Sequence, residues 1–546
     1  MAEHRRAYDY VVVGSGSAGC VLARRLTDGG CSVLLLEAGP RDWSPYIHVP
    51  AGLIKAGTYI ETVMDSPDPS RDGRQMLWSA GKVFGGGSSV NGMVWTRGHP
   101  ADFDAWAAMG CEGWGYQDVL PYFMRSERFE GPPSEVRGRS GPVRVGMPRV
   151  RHALTDAFLA AAQAAGHEYS EDSNSETLGG ISYCQVNQRR GFRHSMARAY
   201  LGTPARRRNL HIATDARVTR IVFESGRARG VEFVRRGRVL QVECEREVIV
   251  CAGALGSPKL LLLSGIGPAR HLRDLGIPVL VDNDQVGADL QEHAVVPMVW
   301  NVDQPTFNMD LTISGFLRHG LDFVIRGRGP AALSVGHALL YSSLDPQSGQ
   351  PGVKALFAPL GVVGAGAIRD ESDGVLEGAG EHDVTRMELL RRPSVTAFVS
   401  VVHPQSRGAV RLRSADPGAP PEIRMELLQY DEDLELLVRG ARDLRRVFDR
   451  PPLRDHVIGE ALPGPSVQSD HEWTKYARAS SHGGQHAVGT CAMGPEGRSV
   501  VDSHLRVRGV DGLRVVDASV FPLLTSGHTN APTVMVAERA ADLINP

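Results

Sequence analysis

Three glycines and one glutamate near the start of the chain have the types and the spacing of a dinucleotide-binding site. Gly14, Gly16 and Gly19 form the pattern G-x-G-x-x-G, and Glu37 follows eighteen residues after the last glycine. The first glycine permits a tight turn, the second lets backbone approach a pyrophosphate, and the third lets a helix pack closely on a strand. The glutamate stands where a carboxylate accepts hydrogen bonds from a ribose diol. The spacing therefore predicts a bound dinucleotide.

The elements that must position these residues form one strand–helix–strand unit. The apolar run Val11 to Val13 ends at the first glycine, and a stretch with apolar residues at helical spacing follows. A second apolar run, Val33 to Leu36, ends at the glutamate. The predicted helix would direct its unpaired N–H groups and its positive dipole end at the phosphates.

A glycine-rich block is expected to form a further wall of the cofactor site. Residues 81–92 read G-K-V-F-G-G-G-S-S-V-N-G, with apolar residues on both sides of the glycines. A flexible linker would be more uniformly polar. The block therefore predicts a backbone loop that runs close to the cofactor.

Two later junctions repeat the strand-to-helix pattern. The apolar strand Val248 to Cys251 meets Ala252 and Gly253, and a helix is predicted to begin near Ser257-Pro258, since serine caps helices and proline suits a first turn. The strand Leu513 to Val516 ends at an aspartate, and a C-terminal helix is predicted from Val534 to Leu543. Both junctions are candidate cofactor contacts.

The length, net charge and composition of the chain exclude several classes of protein. At 546 residues it is too long for one ordinary hydrophobic core, so two or more domains are expected. Sixty basic residues against 62 acidic ones give a net charge of −2, which favours neither a nucleic-acid partner nor an anionic membrane surface. The hydrophobic content of 42% and the charged content of 22% are typical of a globular protein.

Targeting and metal-binding patterns are not found in the sequence. The first strand is predicted to begin at about Tyr8, so no signal peptide is expected before it. The longest apolar stretch, Val248 to Ile266, is broken by Pro258 and predicts no membrane span. The seven cysteines form no C-x-x-C pair and no His/Cys cluster, so neither a disulfide framework nor a metal site is expected. A reducing cytoplasm is the expected location.

The pattern of the sequence changes between about residues 301 and 480. Short β-like runs alternate with turns and with helices such as Asp431 to Phe448, and no dinucleotide pattern recurs. A second domain that covers the cofactor and selects the substrate is expected here. Six acidic residues fall between Asp370 and Asp383. A solvated loop is the preferred interpretation, and a negative rim for a cationic substrate is the alternative.

Six ordered blocks of the sequence resemble the glucose–methanol–choline (GMC) family of flavin oxidoreductases. The residues of these blocks resemble those of the choline-dehydrogenase-like and aryl- or furfuryl-alcohol-oxidase-like branch of the family. The blocks are Val11 to Glu37, G-K-V-F-G-G-G-S-S-V-N-G from Gly81, A-G-A-L-G-S-P-K-L-L-L-L-S-G-I-G-P from Ala252, V-G-A-D-L-Q-E-H from Val286, H-A-V-G-T-C-A-M-G from His486, and T-N-A-P-T-V-M-V-A-E-R from Thr529.

The resemblance implies a fold and a cofactor. The fold is α/β, or α+β overall, with a Rossmann-like FAD-binding domain and a substrate domain built on an antiparallel sheet flanked by helices. The FAD-binding domain is expected to be discontinuous, over residues 1–160, 208–300 and 481–546, and the substrate-binding domain to comprise residues 161–207 and 301–480. The implied cofactor is FAD rather than NAD.

The resemblance also locates the chemistry. His486 matches the family's active-site histidine, and Asn530 matches a partner position that is histidine or asparagine in the family. Alcohol oxidation removes the O–H proton while a hydride leaves the carbon, and a neutral imidazole suits the first task. We therefore predict His486 as the general base and Asn530 as the residue that positions the substrate oxygen. The predicted cofactor-binding residues are Gly14, Gly16, Ser17, Ala18, Gly19, Glu37, Ala38, Val83, Gly86, Ser89, Asn91, Gly92, Met93, Val94, Val218, Ala252, Gly253, Asp517, Ala518, Asn530, Pro532 and Thr533.

Neighbouring positions complete the predicted site. Gln485 and His528 are candidates to line the substrate pocket with His486, whereas His482 is expected to be structural. Some family members attach FAD covalently through a histidine in the S-S-H-N version of the glycine loop. That position is Val90 here, so FAD is expected to be bound non-covalently.

The predicted reaction is oxidation of a primary alcohol to an aldehyde, with hydride transfer to flavin N5. The substrate could be a cationic alcohol (choline-like, or the hydroxymethyl group of an amino sugar), an aromatic or heteroaromatic alcohol, or a polyol. The electron acceptor, O2 or another, and the oligomeric state stay open. The alternative is a hydroxynitrile lyase-type enzyme with structural FAD. The resemblance implies a His/His pair at the active site of such lyases, whereas this chain has His486 and Asn530.

Overall fold

The computed structural model describes residues 7–176, 178–202, 207–310, 320, 322–345, 349–364, 388–545 and the backbone of 368–369 and 375–377. Within these ranges the protein is a mixed α/β structure built on two large sheets. The helices are α1 Ser17–Asp28, α2 Pro45–His48, α3 Pro100–Ala108, α4 Tyr116–Ser126, α5 Ala153–Ala164, α6 Gly253–Leu263, α7 Ala269–Asp274, α8 Phe307–Asp310, α9 Asp431–Phe448, α10 Asp470–Ser480 and α11 Asn530–Ile544. The strands are β1 Ala7–Val13, β2 Val33–Leu36, β3 Ile60–Met64, β4 Leu77–Gly81, β5 Glu127–Phe129, β6 Val143–Val145, β7 Gly180–Tyr183, β8 Gln188–Arg189, β9 Phe192–Arg193, β10 Leu210–Ala213, β11 Ala216–Glu224, β12 Arg227–Arg235, β13 Arg238–Val250, β14 Ile266–Gly267, β15 Val281–Asp282, β16 Ala294–Val302, β17 Ala338–Ser342, β18 Val353–Ala358, β19 Val362–Val363, β20 Ile368–Arg369, β21 Val375–Glu377, β22 Glu388–Leu389, β23 Ser394–Val401, β24 Gly408–Arg411, β25 Glu422–Met425, β26 Val457–Leu462, β27 His482–Gly483 and β28 Leu513–Val515.

The first sheet has the topology of a dinucleotide-binding domain. Its strands lie in the order β10-β2-β1-β13-β12-β11, and β28 also pairs with β13. Strands β10, β2, β1, β13 and β28 run parallel, whereas β12 and β11 form an antiparallel extension. The chain moves outward from β1 in both directions, so a switch point lies between β1 and β13, and ligands bind at the carboxyl ends of strands at such a point. The predicted Rossmann-like arrangement is confirmed.

The second sheet is antiparallel and is covered by helices. Its order is β26-β16-β23-β18-β17-β7, with β27 also paired to β16. Helix α9 packs on it through a buried stripe that includes Leu437, Ala441 and Leu444, and Phe448 stacks on Trp300 of β16. The predicted antiparallel sheet with flanking helices is confirmed. The predicted domain boundaries remain a prediction, and the acidic residues between 370 and 383 lie outside the described side chains.

Helix α6 begins at Gly253, four residues before the predicted Ser257-Pro258 start. Proline is tolerated inside this helix because the carbonyl that loses its N–H partner is bonded elsewhere: the hydroxyl of Thr490 donates to Ala254 O at 2.6 Å. The carboxylate of Asp517 fixes the helix start by accepting the Gly253 N–H at 2.8 Å. A residue that is distant in sequence therefore sets this boundary.

Other boundaries also differ from the sequence expectation. Helix α11 begins at Asn530 rather than at Val534. The observed start is four residues earlier, about one helical turn, so Asn530 itself lies in the first turn of the helix. The strand Val33–Leu36 and the helix Asp431–Phe448 have the predicted bounds.

No described helix is both long enough and apolar enough to cross a bilayer. All seven cysteines are buried and carry free thiols. The thiols therefore contribute to packing rather than to cross-links.

Candidate active site

A cavity of about 770 Å³ lies at the carboxyl ends of β1 and β13 and extends to one face of the second sheet. The second sheet contributes Leu339, Lys354, Leu356 and Phe398 to its wall. The three predicted substrate-site residues, Gln485, His486 and His528, line it. The predicted cofactor-binding residues that line it are Gly14, Gly16, Ser17, Ala18, Glu37, Ala38, Gly86, Asn91, Gly92, Met93, Val94, Val218, Ala252, Gly253, Asp517, Ala518, Asn530 and Thr533.

The glycine turn has the close packing that its sequence pattern requires. Gly14 has φ +98°, and a Cβ there would lie 2.3 Å from Cys251 O. A Cβ on Gly19 would lie 1.9 Å from Gly14 O, so this glycine allows α1 to pack against the turn. A Cβ on Gly16 would meet no atom closer than 4.0 Å, and Gly16 lines the cavity. Only the middle glycine therefore leaves open space where a ligand could lie against backbone.

The carboxylate of Glu37 is already held by neighbouring protein groups. One oxygen accepts the N–H of Ser15 at 3.0 Å and its hydroxyl at 2.7 Å, and the other accepts the Gly39 N–H at 2.8 Å. Burial raises the pKa of Glu37. A carboxylate offers about four lone-pair positions, so one position remains for a ligand hydroxyl.

The glycine-rich loop lies directly on the glycine turn. Gly86 has φ +52°, and a Cβ there would lie 2.6 Å from Gly16 Cα. Asn91 is held from outside the cavity by the buried guanidinium of Arg193, which donates to its carbonyl at 2.6 Å and its amide oxygen at 2.9 Å. Four predicted cofactor-binding residues are buried but do not line the cavity: Gly19, Val83, Ser89 and Pro532.

Helix α11 is fixed against α1 by a buried carboxylate. Glu538 is fully buried and accepts hydrogen bonds from Arg25 and Arg125 at 2.8 Å. This packing brings the start of α11 to the start of α1, where the Ser17 hydroxyl donates to Asn530 Oδ1 at 2.6 Å. The Asn530 Nδ2 atom is buried and has no hydrogen-bond partner among the described residues.

The residues of this half of the cavity fit a dinucleotide. The N-terminus of α1 has no side-chain cap and no acidic residue in its first turn, so its N–H groups are available to phosphates. A Cβ on Gly253 would meet nothing within 4 Å, which leaves a second open stretch of backbone. The unpartnered Nδ2 of Asn530 adds a donor that a ligand oxygen could satisfy.

A pair of histidines forms the polar centre of the other half. The Nδ1 atoms of His293 and His486 lie 2.9 Å apart, and His293 Nε2 lies 3.0 Å from Val402 O. A carbonyl only accepts, so His293 carries its proton on Nε2 and its Nδ1 accepts the Nδ1–H of His486. The lone pair of His486 is then on Nε2, which has no hydrogen-bond partner among the described residues.

His528 packs against the opposite side of His486. The two ring centroids are 4.8 Å apart at an interplanar angle of 89°. The backbone N–H of His528 donates to the Thr96 hydroxyl at 2.7 Å, and that hydroxyl lies 3.2 Å from His528 Nδ1. Burial lowers the pKa of His528 to about 3, so the ring is neutral. The structure thus brings His528 to the cavity, a placement that the sequence left open.

Gln485 and His482 occupy different environments. Gln485 has φ +64°, and its Oε1 accepts the Ser79 N–H at 3.2 Å, so its amide is directed toward the β4 strand at the cavity wall. His482 is buried on β27, and burial lowers its pKa to about 4. Its expected structural role stays a prediction.

Three residues of the site were missed by the sequence argument: Glu292, His293 and Lys354. The first two end the V-G-A-D-L-Q-E-H block, whose resemblance to the GMC family could have identified them as site residues. Lys354 lies in an apolar strand outside these blocks, and no sequence pattern marked it as a site residue. Burial raises the pKa of Glu292 to about 7 and lowers the pKa of Lys354 to about 7.

The group Glu292, His293 and His486 has metal-ligand residue types, with ligand atoms within 4.8 Å of one another. These atoms already bond within the protein. Both Glu292 oxygens accept the His486 N–H at 2.8 Å, and the two imidazoles bond each other. The Lys354 ammonium, 3.2 Å from His293 Nδ1, would repel a cation. The arrangement fits proton transfer better than metal binding.

The fold and this site define a redox enzyme that binds a dinucleotide cofactor. The chain belongs to the GMC oxidoreductase family, whose N-terminal profile matches residues 8–295 and whose C-terminal profile matches residues 404–537. GMC oxidoreductases are flavoproteins that use FAD. This protein is therefore an oxidoreductase that acts on alcohol-type donors.

Named relatives match the chain over nearly its whole length. An oxygen-dependent choline dehydrogenase of Rhizobium johnstonii is 37% identical over 544 residues, which are 98% of this chain and 95% of that protein. The crystal structure of pyridoxine 4-oxidase from Mesorbium loti matches with a TM-score of 0.86 and 30% identity over 98% of each chain. A fungal aryl-alcohol oxidase structure matches with a TM-score of 0.83 and 26% identity over 99% of each chain.

Proposed function

We propose that this protein oxidises a primary alcohol to an aldehyde, with His486 as the general base and FAD bound non-covalently. The observation that carries the proposal is that His486 Nε2 has no hydrogen-bond partner among the described residues and belongs to a cavity that also contains the glycine turn. One cavity thereby holds a proton acceptor and a site whose residues fit a dinucleotide.

His486 would take the hydroxyl proton of the alcohol on Nε2. The contact with His293 keeps the other proton of the ring on Nδ1, so the free lone pair stays directed at the substrate. Burial, with His528 and Lys354 nearby, lowers the pKa of His486 well below its usual range. The ring is therefore unprotonated at neutral pH. FAD, when bound, supplies the acceptor for the hydride that leaves the carbon.

Asn530 is proposed to position the alcohol oxygen. Ser17 fixes the side chain through Oδ1, which leaves the Nδ2 donor without a partner among the described residues. A buried donor without a partner costs free energy. A substrate oxygen that accepts from Nδ2 would remove this cost and would be held for proton transfer.

FAD is proposed to be held without a covalent bond. The position at which some family members carry the linking histidine is Val90, and Val90 lines the cavity. A valine side chain offers no nucleophile for attachment. The uncapped start of α1 and the open backbone at Gly16 and Gly253 are the proposed non-covalent contacts.

The substrate class and the lyase alternative can be weighed against the relatives. The pyridoxine 4-oxidase and aryl-alcohol oxidase structures carry names that specify aromatic or heteroaromatic alcohols, and the choline dehydrogenase name specifies a cationic one. Trp78, Leu356 and Phe398 give the cavity an apolar wall that suits a ring. These relatives are oxidases and a dehydrogenase and give the lyase alternative no support.

The proposal is tested by anaerobic mixing of the purified holoenzyme with a panel of primary alcohols. We expect one class of alcohol to bleach the flavin absorbance and to yield the corresponding aldehyde. The rate at which colour returns in air then measures whether O2 is the acceptor. Cyanohydrin cleavage without bleaching by any alcohol would contradict the proposal.

A further inference from the structure

Lys354 places a buried ammonium in the wall of the active-site cavity. The residue is 5% exposed on strand β18, and its Nζ lies 3.2 Å from Nδ1 and 3.3 Å from Nε2 of His293. Because the two distances are nearly equal, the ammonium lies beside the ring rather than in line with one nitrogen. Its N–H groups donate to Ser526 O at 3.0 Å and to Gly527 O at 3.2 Å.

No described carboxylate pairs directly with this ammonium. Glu292 and Asp102 are the acids near enough to act on it electrostatically. The oxygens of Glu292 accept the backbone N–H groups of His486 and His293 at 2.8 Å. Asp102 accepts the Ser526 N–H at 2.7 Å. Both acids are therefore committed to other donors.

The remaining carboxylates of the cavity wall are engaged in the same way. Glu37 accepts from Ser15 and Gly39 as described above, and Glu61 pairs with Lys82 at 2.8 Å. Asp517 accepts the Gly253 N–H at 2.8 Å. Among the described residues, each carboxylate of the cavity wall thus accepts hydrogen bonds from protein donors, while the buried ammonium of Lys354 lies beside the His293–His486 pair.

We propose that Lys354 determines substrate specificity: the enzyme accepts neutral or negatively charged alcohols and rejects alcohols with a fixed positive charge. This inference rests on the proposed function, because it concerns the alcohol that meets His486. A fixed positive charge on the alcohol would be repelled by this ammonium, because like charges interact strongly at the effective dielectric constant of a partly buried site. The apolar wall at Leu339, Leu356 and Phe398 directs the choice further, toward aromatic and heteroaromatic alcohols.

The test compares alcohols of equal shape that differ in charge. One pair is choline and 3,3-dimethylbutan-1-ol, and the other is (4-(hydroxymethyl)phenyl)trimethylammonium and 4-tert-butylbenzyl alcohol. The second-order rate constant for anaerobic flavin reduction is measured in the holoenzyme for each compound at pH 6. This pH is below the pKa of about 7 to which burial lowers Lys354, so its amine is protonated during the measurement. We expect the neutral member of each pair to react at least about tenfold faster, and Lys354→Met to reduce this ratio by about tenfold.

A matched control and a second variant keep the result interpretable. Lys259 lines the same cavity and donates to Pro417 O at 2.9 Å and Ala419 O at 2.6 Å. The ratio in Lys259→Met should stay that of the wild type. Lys354→Gln also removes the charge but retains a donor for the carbonyls, so it replaces the methionine variant if that variant fails to load FAD.

The outcomes separate this inference from the proposed function. Reaction of both members at equal rates in the wild type would overturn the role of Lys354, and so would an unchanged ratio in active Lys354→Met or Lys354→Gln. In either case alcohol oxidation itself would stand. If no alcohol reduced the flavin of the wild type, the proposed function would fail first.

Discussion

The Nδ1 atoms of His293 and His486 lie 2.9 Å apart, and this contact decides which nitrogen of His486 is free to act as a base. Because Val402 O accepts the Nε2–H of His293, the Nδ1 of His293 can only accept. The proton of His486 is therefore on Nδ1, and its lone pair is on Nε2. His293 is a positioning residue in this arrangement, since it acts through His486.

The role of His293 predicts different effects for two substitutions. His293→Leu should leave the Nδ1–H of His486 without an acceptor and slow flavin reduction at least about tenfold, in line with what positioned proton transfer contributes. His293→Asn restores an acceptor and should recover part of the rate. Stopped-flow reduction at several pH values checks this. Equal rates in the two variants would point to a purely structural role.

His486→Ala should keep its yellow colour and lose catalysis. The substitution removes the proton acceptor but no contact to the half of the cavity that fits FAD. We expect the flavin reduction rate to fall by about 10²- to 10⁴-fold. The exposed His471→Ala on α10 serves as the control and should react at the wild-type rate. Wild-type activity in His486→Ala would remove the catalytic assignment.

Gly19→Ala should prevent correct assembly of the cofactor site. Its Cβ would lie 1.9 Å from Gly14 O, so α1 must move away from the turn, at a cost of roughly 1–3 kcal/mol or more. At Gly459 a Cβ would meet nothing within 4 Å, and Gly459 does not line the cavity, so Gly459→Ala is the matched control. Flavin content and thermal unfolding of the two variants measure the difference. Equal flavin loading would show that the helix tolerates the displacement.

The buried lysine predicts a pH dependence of stability. The pKa of Lys354 is lowered from 10.5 to about 7 in the folded protein by burial. Between these values the unfolded chain binds a proton that the folded protein does not, so stability rises with pH. The destabilisation by Lys354 is full below pH 7 and fades toward pH 10.5, by at most about 1.4 kcal/mol per pH unit.

This dependence is measured as the difference in unfolding free energy between the wild type and Lys354→Met from pH 7 to pH 9. Using the difference removes the contributions of all groups that the substitution leaves unchanged. The unfolding free energy of the wild type should increase relative to that of the variant as the pH rises. A constant difference across this range would mean that Lys354 titrates normally.

The proposed non-covalent binding of FAD predicts its complete release on denaturation. Precipitation of the holoenzyme with acid should leave the flavin in the supernatant, because Val90 cannot form a bond to it. The mass of the denatured chain should equal that of the polypeptide alone. A yellow pellet with a mass increase of one flavin would reveal attachment at another residue.

Much of the cofactor half was predictable because its signals are local. The positions of Gly14, Gly16 and Gly19 between two apolar runs reflect turn geometry and close packing, which depend on residues next to each other in the chain. The strand Val33–Leu36 and the helix Asp431–Phe448 were predicted with their observed bounds for the same reason. The resemblance to the GMC family extended these local patterns to the whole fold, and the family assignment is confirmed.

The remaining features were decided by tertiary structure. Asp517 sets the start of α6, and a carboxylate 264 positions away leaves no trace in the local helix pattern. His293 and His486 are 193 positions apart, and Lys354 is 61 positions from His293. The sequence alone determined the dinucleotide-binding pattern and predicted a candidate base. Only the packing of the two sheets decided the tautomer of His486 and the charge beside it, because both depend on contacts between distant segments.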